Sequence, residues 1–353
     1  MNKGVDIMTF EQILNEITSG LSGDNKRDME YLQEQCEKYK DSEFSKEIIR
    51  ACSRLMYELI PDDGKEELER ILKNNAKSIE AMIKEIRFNV FEQNIDNALK
   101  LSKALVDKVE GAMMFENDTV SEYYTFDNLF EEILYCYHTK PQRAVRRATI
   151  PYSEIFFIYG NLLFEKKEYS LAREYLKKAL RWNPASCTIA FEYIETFKAE
   201  KNFVDFYELT KNQFKYAYIP KDVARCYRNL GFYFVEIKEY TVASLCYTLS
   251  MMYDSDNKSA QSELYYIEHT APEGYEKPTP ELLEKYLEEY DLPSGADKDV
   301  IGLAYAYGQK AIQDGETEWA VYFLEIVCSL IEDDNLNKLL VQLKNQLSTE
   351  EQQ

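Results

Sequence analysis

Only two histidines, His138 and His269, occur in 353 residues, and neither stands at metal-ligand spacing to another histidine or to a cysteine. The phosphate-cradling, dinucleotide, zinc-protease and serine-elbow motifs are all missing, so no familiar enzyme chemistry is written in the chain. Cofactor, metal and catalytic activity are therefore not expected. The seven cysteines (Cys36, Cys52, Cys136, Cys187, Cys226, Cys246 and Cys328) are odd in number and contain no C-x-x-C pair. That excludes a locally encoded zinc cluster or thioredoxin-type site and points to reduced thiols used as small hydrophobes. Twelve Gly and nine Pro are too few for a sheet-and-turn fold. Basic charge is short as well: 42 Lys and Arg face 63 Asp and Glu, a net charge of −21. Without a basic excess in either half, nucleic acid or an anionic membrane is not expected as the main ligand. Nor is there a membrane-spanning run. The most apolar stretch, Ile150 to Phe164, is broken by Pro151, Ser153, Glu154, Gly160 and Asn161. Met1 to Asp6 lacks the apolar core of a signal peptide, so the cytoplasm is the expected location.

What the chain does have is 45% apolar and 30% charged residues, the balance of a folding, soluble protein. Apolar residues recur at helical period over Leu99–Val109 and Leu282–Tyr290. Helix stops stand at Pro61-Asp62-Asp63-Gly64, at Asn183-Pro184 and from Pro272 to Pro280, the last reading as an internal linker. Asp254 to Lys258 has a trace of a calcium loop, but Lys258 takes a ligand position and no Gly follows, so it reads as a turn.

Internal repetition is the strongest signal. Gly160, Gly231 and Gly308 are each followed twelve residues later by alanine, at Ala172, Ala243 and Ala320. An aromatic precedes each alanine, and Leu176, Tyr247 and Leu324 follow four residues on. The spacing predicts pairs of antiparallel helices in which Gly and Ala let the backbones approach and the larger residue fills the groove. Pro184 then ends the second helix of the first pair.

On these residues the chain resembles the tetratricopeptide repeat family, whose unit is a 34-residue helix-turn-helix. Residues 153–186 carry Phe156, Tyr159, Gly160, Leu163, Ala172, Leu176, Ala179 and Pro184 at its signature positions, and further repeats start near Ala224 and Ile301. A divergent unit fits 187–223, with Ile194 and Phe206 in place of Gly and Ala, and another fits Ser78 to Val109 around Ala98. The resemblance implies an all-α fold, a right-handed superhelix of such hairpins behind an N-terminal helical bundle or cap. The expected divisions are a cap over 1–75, a divergent repeat region over 76–148, repeats over 149–258, a helix and Pro-rich linker over 259–298, and a C-terminal repeat with capping helices over 299–353.

The resemblance also implies a concave groove that binds peptides. Carried over by alignment, its lining is Phe157, Asn161 and Phe164, then Phe191, then Arg225, Arg228 and Phe232, then Tyr305 and Gln309. Arg225 and Arg228 have two readings: they grip a carboxylate of the ligand, or they pair with acidic neighbours. Phe157 stands where the family's carboxylate-clamp variety carries Lys, a departure from that pattern. A basic group, Lys140, Arg143, Arg146 and Arg147, either docks an acidic or phosphorylated partner or answers Glu131, Glu132 and Glu165, with 143, 146 and 147 on one helical face. The expected function is a non-catalytic scaffold for a protein or peptide bearing an acidic group or C-terminal carboxylate. The alternative is a peptide-responsive signalling regulator acting on a response regulator.

Overall fold

The computed structural model describes residues 9–111, 115, 117, 118, 120–270, 273 and 275–350. Among these residues the chain is mostly helical, as composition favoured: seventeen α-helices, one 3-10 turn and a two-stranded sheet. None of the described helices is long and apolar enough to cross a membrane. The chain divides into two compact units, residues 1–125 with 141–155, and residues 126–140 with 156–353.

The first unit holds α1 (Phe10–Ser19), α2 (Asn25–Lys38), α3 (Ser45–Leu59), α4 (Asp62–Phe91), α5 (Ile95–Gly111) and the parallel pair β1 (Ser121–Tyr124) and β2 (Ala144–Arg147). Thr9 and Gln12 form a capping box at the start of α1, and Asp24 caps α2. Buried Asp28 accepts from the Ser22 hydroxyl and from the Ser22 and Gly23 N–H groups, fixing the turn between them. Ile13, Ile17, Leu32, Ile48 and Cys52 form the core of the three-helix bundle α1–α3. The expected boundary at residue 75 falls inside α4, which runs on because neither Gly nor Pro occurs from Lys65 to Phe91. Residues 76–148 are likewise shared between both units.

The second unit holds α6 (Leu129–Thr139), α8 (Tyr169–Trp182), α9 (Cys187–Ala199), α10 (Phe203–Gln213), a 3-10 turn at Phe214–Tyr216, α11 (Pro220–Glu236), α12 (Tyr240–Tyr253), α13 (Lys258–Thr270), α14 (Pro280–Glu289), α15 (Lys298–Asp314), α16 (Thr317–Leu330) and α17 (Asp334–Glu350). α7 (Tyr152–Glu165) precedes α8. From α8 to α13 each helix packs on the next one in sequence, whereas α15 packs on α16, on α6 and on the 3-10 turn. α8 stops at Trp182, two residues before Pro184, and Pro280 opens α14 with Thr279 as its cap. Of the expected linker, Pro272 and Gly274 lie outside the described residues.

One turn recurs in five helix pairs, α4/α5, α7/α8, α9/α10, α11/α12 and α15/α16. The residue that ends each first helix is left-handed: Gln93 (φ 59°), Lys167 (63°), Lys201 (58°), Lys238 (67°) and Gly315 (75°). The N–H of the next residue then donates to a carbonyl five positions back, from Asn94 to Asn89, Glu168 to Leu163, Asn202 to Phe197, Glu239 to Phe234 and Glu316 to Ala311, at 2.8 to 3.0 Å. Five residues past each left-handed position sits a side chain with no exposure: Ala98, Ala172, Phe206, Ala243 and Ala320. The glycines face one turn farther along the second helix. A Cβ on Gly160 would stand 2.8 Å from Leu176 Cγ and 3.2 Å from its backbone N, and one on Gly231 would stand 2.9 Å from the Tyr247 ring. At Gly308 the nearest atom is Leu324 Cδ2, at 3.1 Å.

Two stability outcomes follow in denaturant unfolding. Gly160→Ala lowers stability by about 1–3 kcal/mol through overpacking, while Gly302→Ala, with open space around its Cβ, does not. Lys238→Gly raises it by roughly 1 kcal/mol, because the left-handed strain of a residue with a Cβ is removed.

Candidate functional site

Ser186 caps α9 by accepting from the Ile189 N–H, and Pro220 starts α11, so two helices with long polar-aromatic faces are held with known register. Phe191, Glu195 and Lys198 recur on one side of α9, and Arg225, Arg228 and Phe232 on one side of α11. Side chains join the two. Arg225 lies 3.0 Å from Glu192 Oε1 and 3.9 Å from Glu195 Oε1, with its guanidinium 4.8 Å from the centre of the Phe191 ring. Lys198 sits 4.2 Å over the Phe232 ring and 3.5 Å from Glu195. Phe203 and Phe206 of α10 pack edge-on against Phe232, with ring centres 6.0 and 5.7 Å away. The result is a half-buried layer with an aromatic floor and two cations balanced by two carboxylates. Ion pairs of this exposure are worth about 0–1 kcal/mol.

The other groove residues divide. Arg228 turns away from α9 and donates to Asp254 Oδ2 at 3.2 Å and Ser250 Oγ at 3.3 Å, tying α11 to the end of α12. Burial depresses its pKa and the Asp254 carboxylate partly restores it. The neighbour-pairing reading therefore describes Arg228 and Arg225 alike, the first with Asp254 and the second with Glu192 and Glu195. Phe164 packs on Tyr169 at the α7/α8 turn. Phe157 and Asn161 are half-buried on α7, and Asn161 Oδ1 is buried with no partner among the described residues. Tyr305 is exposed and Gln309 half-buried on α15, whose neighbours are α16, α6 and the 3-10 turn. Described contacts thus bring together Phe191, Arg225 and Phe232, and no such contact adds Phe157, Asn161, Tyr305 or Gln309 to them. Asp254 to Lys258 is the expected turn, with Asp254 accepting from Asn257 as well as Arg228.

The basic group differs from expectation. Residues 144–147 form a strand, not a helix, because Val145 and the Tyr123-Tyr124 pair favour a pleated pairing with β1. Arg143 grips Glu122, at 2.6 Å, and the Asp118 carbonyl, while Arg146 donates to Ser121 Oγ. For Arg143 and Arg146 these partners stand in place of the expected Glu131, Glu132 and Glu165.

Sequence reasoning missed the junction around Glu131. Asn128 caps α6 by accepting from the Glu131 N–H, and the Glu131 carboxylate accepts from the Asp127 N–H and Asn183 Nδ2, each at 2.8 Å. Asn128 also donates to the Tyr218 hydroxyl and accepts from that of Tyr322. The cap pattern Asn-x-x-Glu is the one sequence signal for it. Burial, with Asp127 nearby, pushes the Glu131 pKa up to about 7. Asp222 goes to about 6 by burial, with Arg225 opposing.

Burial raises the thiols of Cys187, Cys226 and Cys246, whereas a reactive cysteine needs the opposite shift. His138 contacts the Lys215 carbonyl between Tyr137 and Tyr216, and His269 stacks on Tyr265. Among the described residues no three His, Cys, Asp or Glu side chains gather to hold a metal ion.

The raised Glu131 pKa sets a pH dependence. The folded state keeps a proton that the unfolded chain releases above its ordinary value near 4.5. This contribution is therefore complete below pH 4.5, and stability falls as pH climbs to about 7, by on the order of 3 kcal/mol. Glu131→Gln flattens that slope in chemical unfolding curves taken from pH 4.5 to 8. Arg228→Ala lowers stability by roughly 2 kcal/mol at pH 7, having stranded half-buried Asp254, and Arg225→Ala by less than half of that. In comparisons with protein-family models and with curated proteins, the sequence matches none.

Proposed function

We propose that the hairpins of the second unit form a right-handed superhelix of the tetratricopeptide type, and that the protein is a non-catalytic scaffold holding a peptide or protein segment in its concave groove. The observation that carries this reading is the repeated hairpin, with its left-handed turn, its buried residue five positions later and, in three copies, a glycine against the second helix. Hairpins of one geometry that pack on their sequence neighbours generate a continuous inner surface. The α9/α11 layer supplies what such a surface uses to bind: aromatic area in Phe191 and Phe232, and a guanidinium with donors to spare in Arg225. A peptide with an acidic side chain or C-terminal carboxylate suits Arg225, and the unpartnered Asn161 Oδ1 suits a backbone N–H. The division into two compact units also suits the alternative role, a peptide-responsive regulator in which one unit senses and the other acts on a response regulator.

Selection of a random peptide library on the full chain tests the scaffold reading. Enriched peptides are expected to bind Arg225→Glu at least tenfold more weakly, and to bind Tyr265→Ala, changed at an exposed position of α13, with full affinity. Equal affinity for both variants, or no enrichment at all, overturns the groove.

A further inference from the structure

After α14 the chain departs from the hairpin pattern. Asp291 is left-handed (φ 49°) and the Leu292 N–H donates to the Leu287 carbonyl at 2.8 Å, yet no helix follows until Asp297 caps α15. The intervening segment, Tyr290 to Ala296, lies on α10, α11 and α12. Most of its polar contacts use its backbone. The Tyr207 hydroxyl donates to the Tyr290 carbonyl at 3.3 Å, and the Tyr227 hydroxyl donates to the Pro293 carbonyl at 2.8 Å. The Ala296 N–H donates to the Tyr253 hydroxyl at 3.0 Å. Two side chains add to these. The Tyr290 ring stands edge-on to Phe234 at 5.0 Å between centres, and the Asp291 carboxylate, 99% exposed, lies 3.2 Å from Lys211 Nζ.

The attachment is shallow. Among the described residues α14 has no buried member, and between Tyr290 and Ala296 only Leu292 is buried. Before α14 the Glu276 N–H donates to Thr241 Oγ1, while the Tyr275 hydroxyl is buried with no partner among the described residues, a cost of the docked state. Segments with so little buried apolar area open before the helices beneath them. Hydrogen bonds to backbone carbonyls do not depend on sequence, so another chain's backbone makes them equally well, and side-chain pockets supply the selectivity. Tyr227 and Phe234 stand on the side of α11 opposite Arg225 and Phe232, so this face is separate from the proposed groove.

We propose that this face of α10, α11 and α12 is a second peptide-docking site, held by the chain's own 290–296 segment and taken by a partner protein's segment that displaces it. The partner segment has the order aromatic, acidic, apolar, proline. Its aromatic ring packs on Phe234, its carboxylate meets Lys211, its apolar side chain takes the place of Leu292, and its proline presents a carbonyl to Tyr227. Two positions past the proline the residue is glycine, because a Cβ on Gly295 would stand 3.1 Å from the Tyr253 hydroxyl.

The probe is a fluorescent peptide with the chain's own sequence from Glu288 to Lys298, titrated against full chains. Tyr290→Ala, which loosens the resident segment, is expected to make the chain bind the peptide at least tenfold more tightly than the unaltered chain. Adding Lys211→Glu to that chain weakens binding at least tenfold, as does Leu292→Ala in the peptide. Hydrogen exchange on the unaltered chain supplies a second reading: the Leu292 and Ala296 amides exchange at least tenfold faster than that of Leu230 in α11. Equal affinity for the unaltered and Tyr290→Ala chains overturns the proposal, as does no binding to either. Indifference to Lys211→Glu, or exchange at Leu292 and Ala296 as slow as at Leu230, overturns it too. So does a Tyr290→Ala chain that loses its helical circular dichroism, because the segment is then part of the core and not a displaceable occupant.

Discussion

Each helix pair depends on how its first helix is stopped. A single residue in the left-handed region reverses the chain, and the bond from the following N–H to the carbonyl five residues back closes the last turn. Once that reversal is set, the second helix begins at a fixed phase, and the residue five positions on is carried into the seam. This is why Ala98, Ala172, Phe206, Ala243 and Ala320 are all without exposure although one of them is phenylalanine. Four of the five left-handed positions hold Gln or Lys, not Gly, so local strain is retained and offset by seam packing.

Seam width is set separately. Where the first helix carries glycine, the space is filled from the second helix by Leu176, Tyr247 or Leu324. Where it carries Ile86 or Ile194, those side chains are themselves buried and fill the seam. The same turn therefore accommodates two packing solutions, and glycine is required by close approach and not by backbone conformation.

An acidic chain has to place its carboxylates, and it uses three arrangements. Glu192 and Glu195 stay half-exposed beside Arg225. Asp254 and Glu122 accept from arginines that tie neighbouring segments together. Glu131 is buried with N–H donors in place of a cation, at the cost of a raised pKa. The proposed groove chemistry rests on the first arrangement, because only an exchangeable ion pair leaves Arg225 open to a ligand.

Helical class and hairpin positions were legible because they depend on local spacing: the Gly and Ala positions mark helix pairs that the structure contains, and Ile194 and Phe206 mark another. The strand at 144–147 was not legible, since pairing with Ser121–Tyr124 is a contact between segments distant in sequence that overrides the arginines' helical spacing. Arg225 and Arg228 show the same limit within one helix turn. Both recur at groove spacing, but only the fold puts Asp254 at Arg228 and Phe191 with Glu192 at Arg225. Periodicity by itself determined which residues form helices and which face inward, because those depend on neighbours within a few positions. Tertiary structure alone decided which charges are paired and which carboxyl is buried, because burial and partnership are properties of chain segments brought together from far apart.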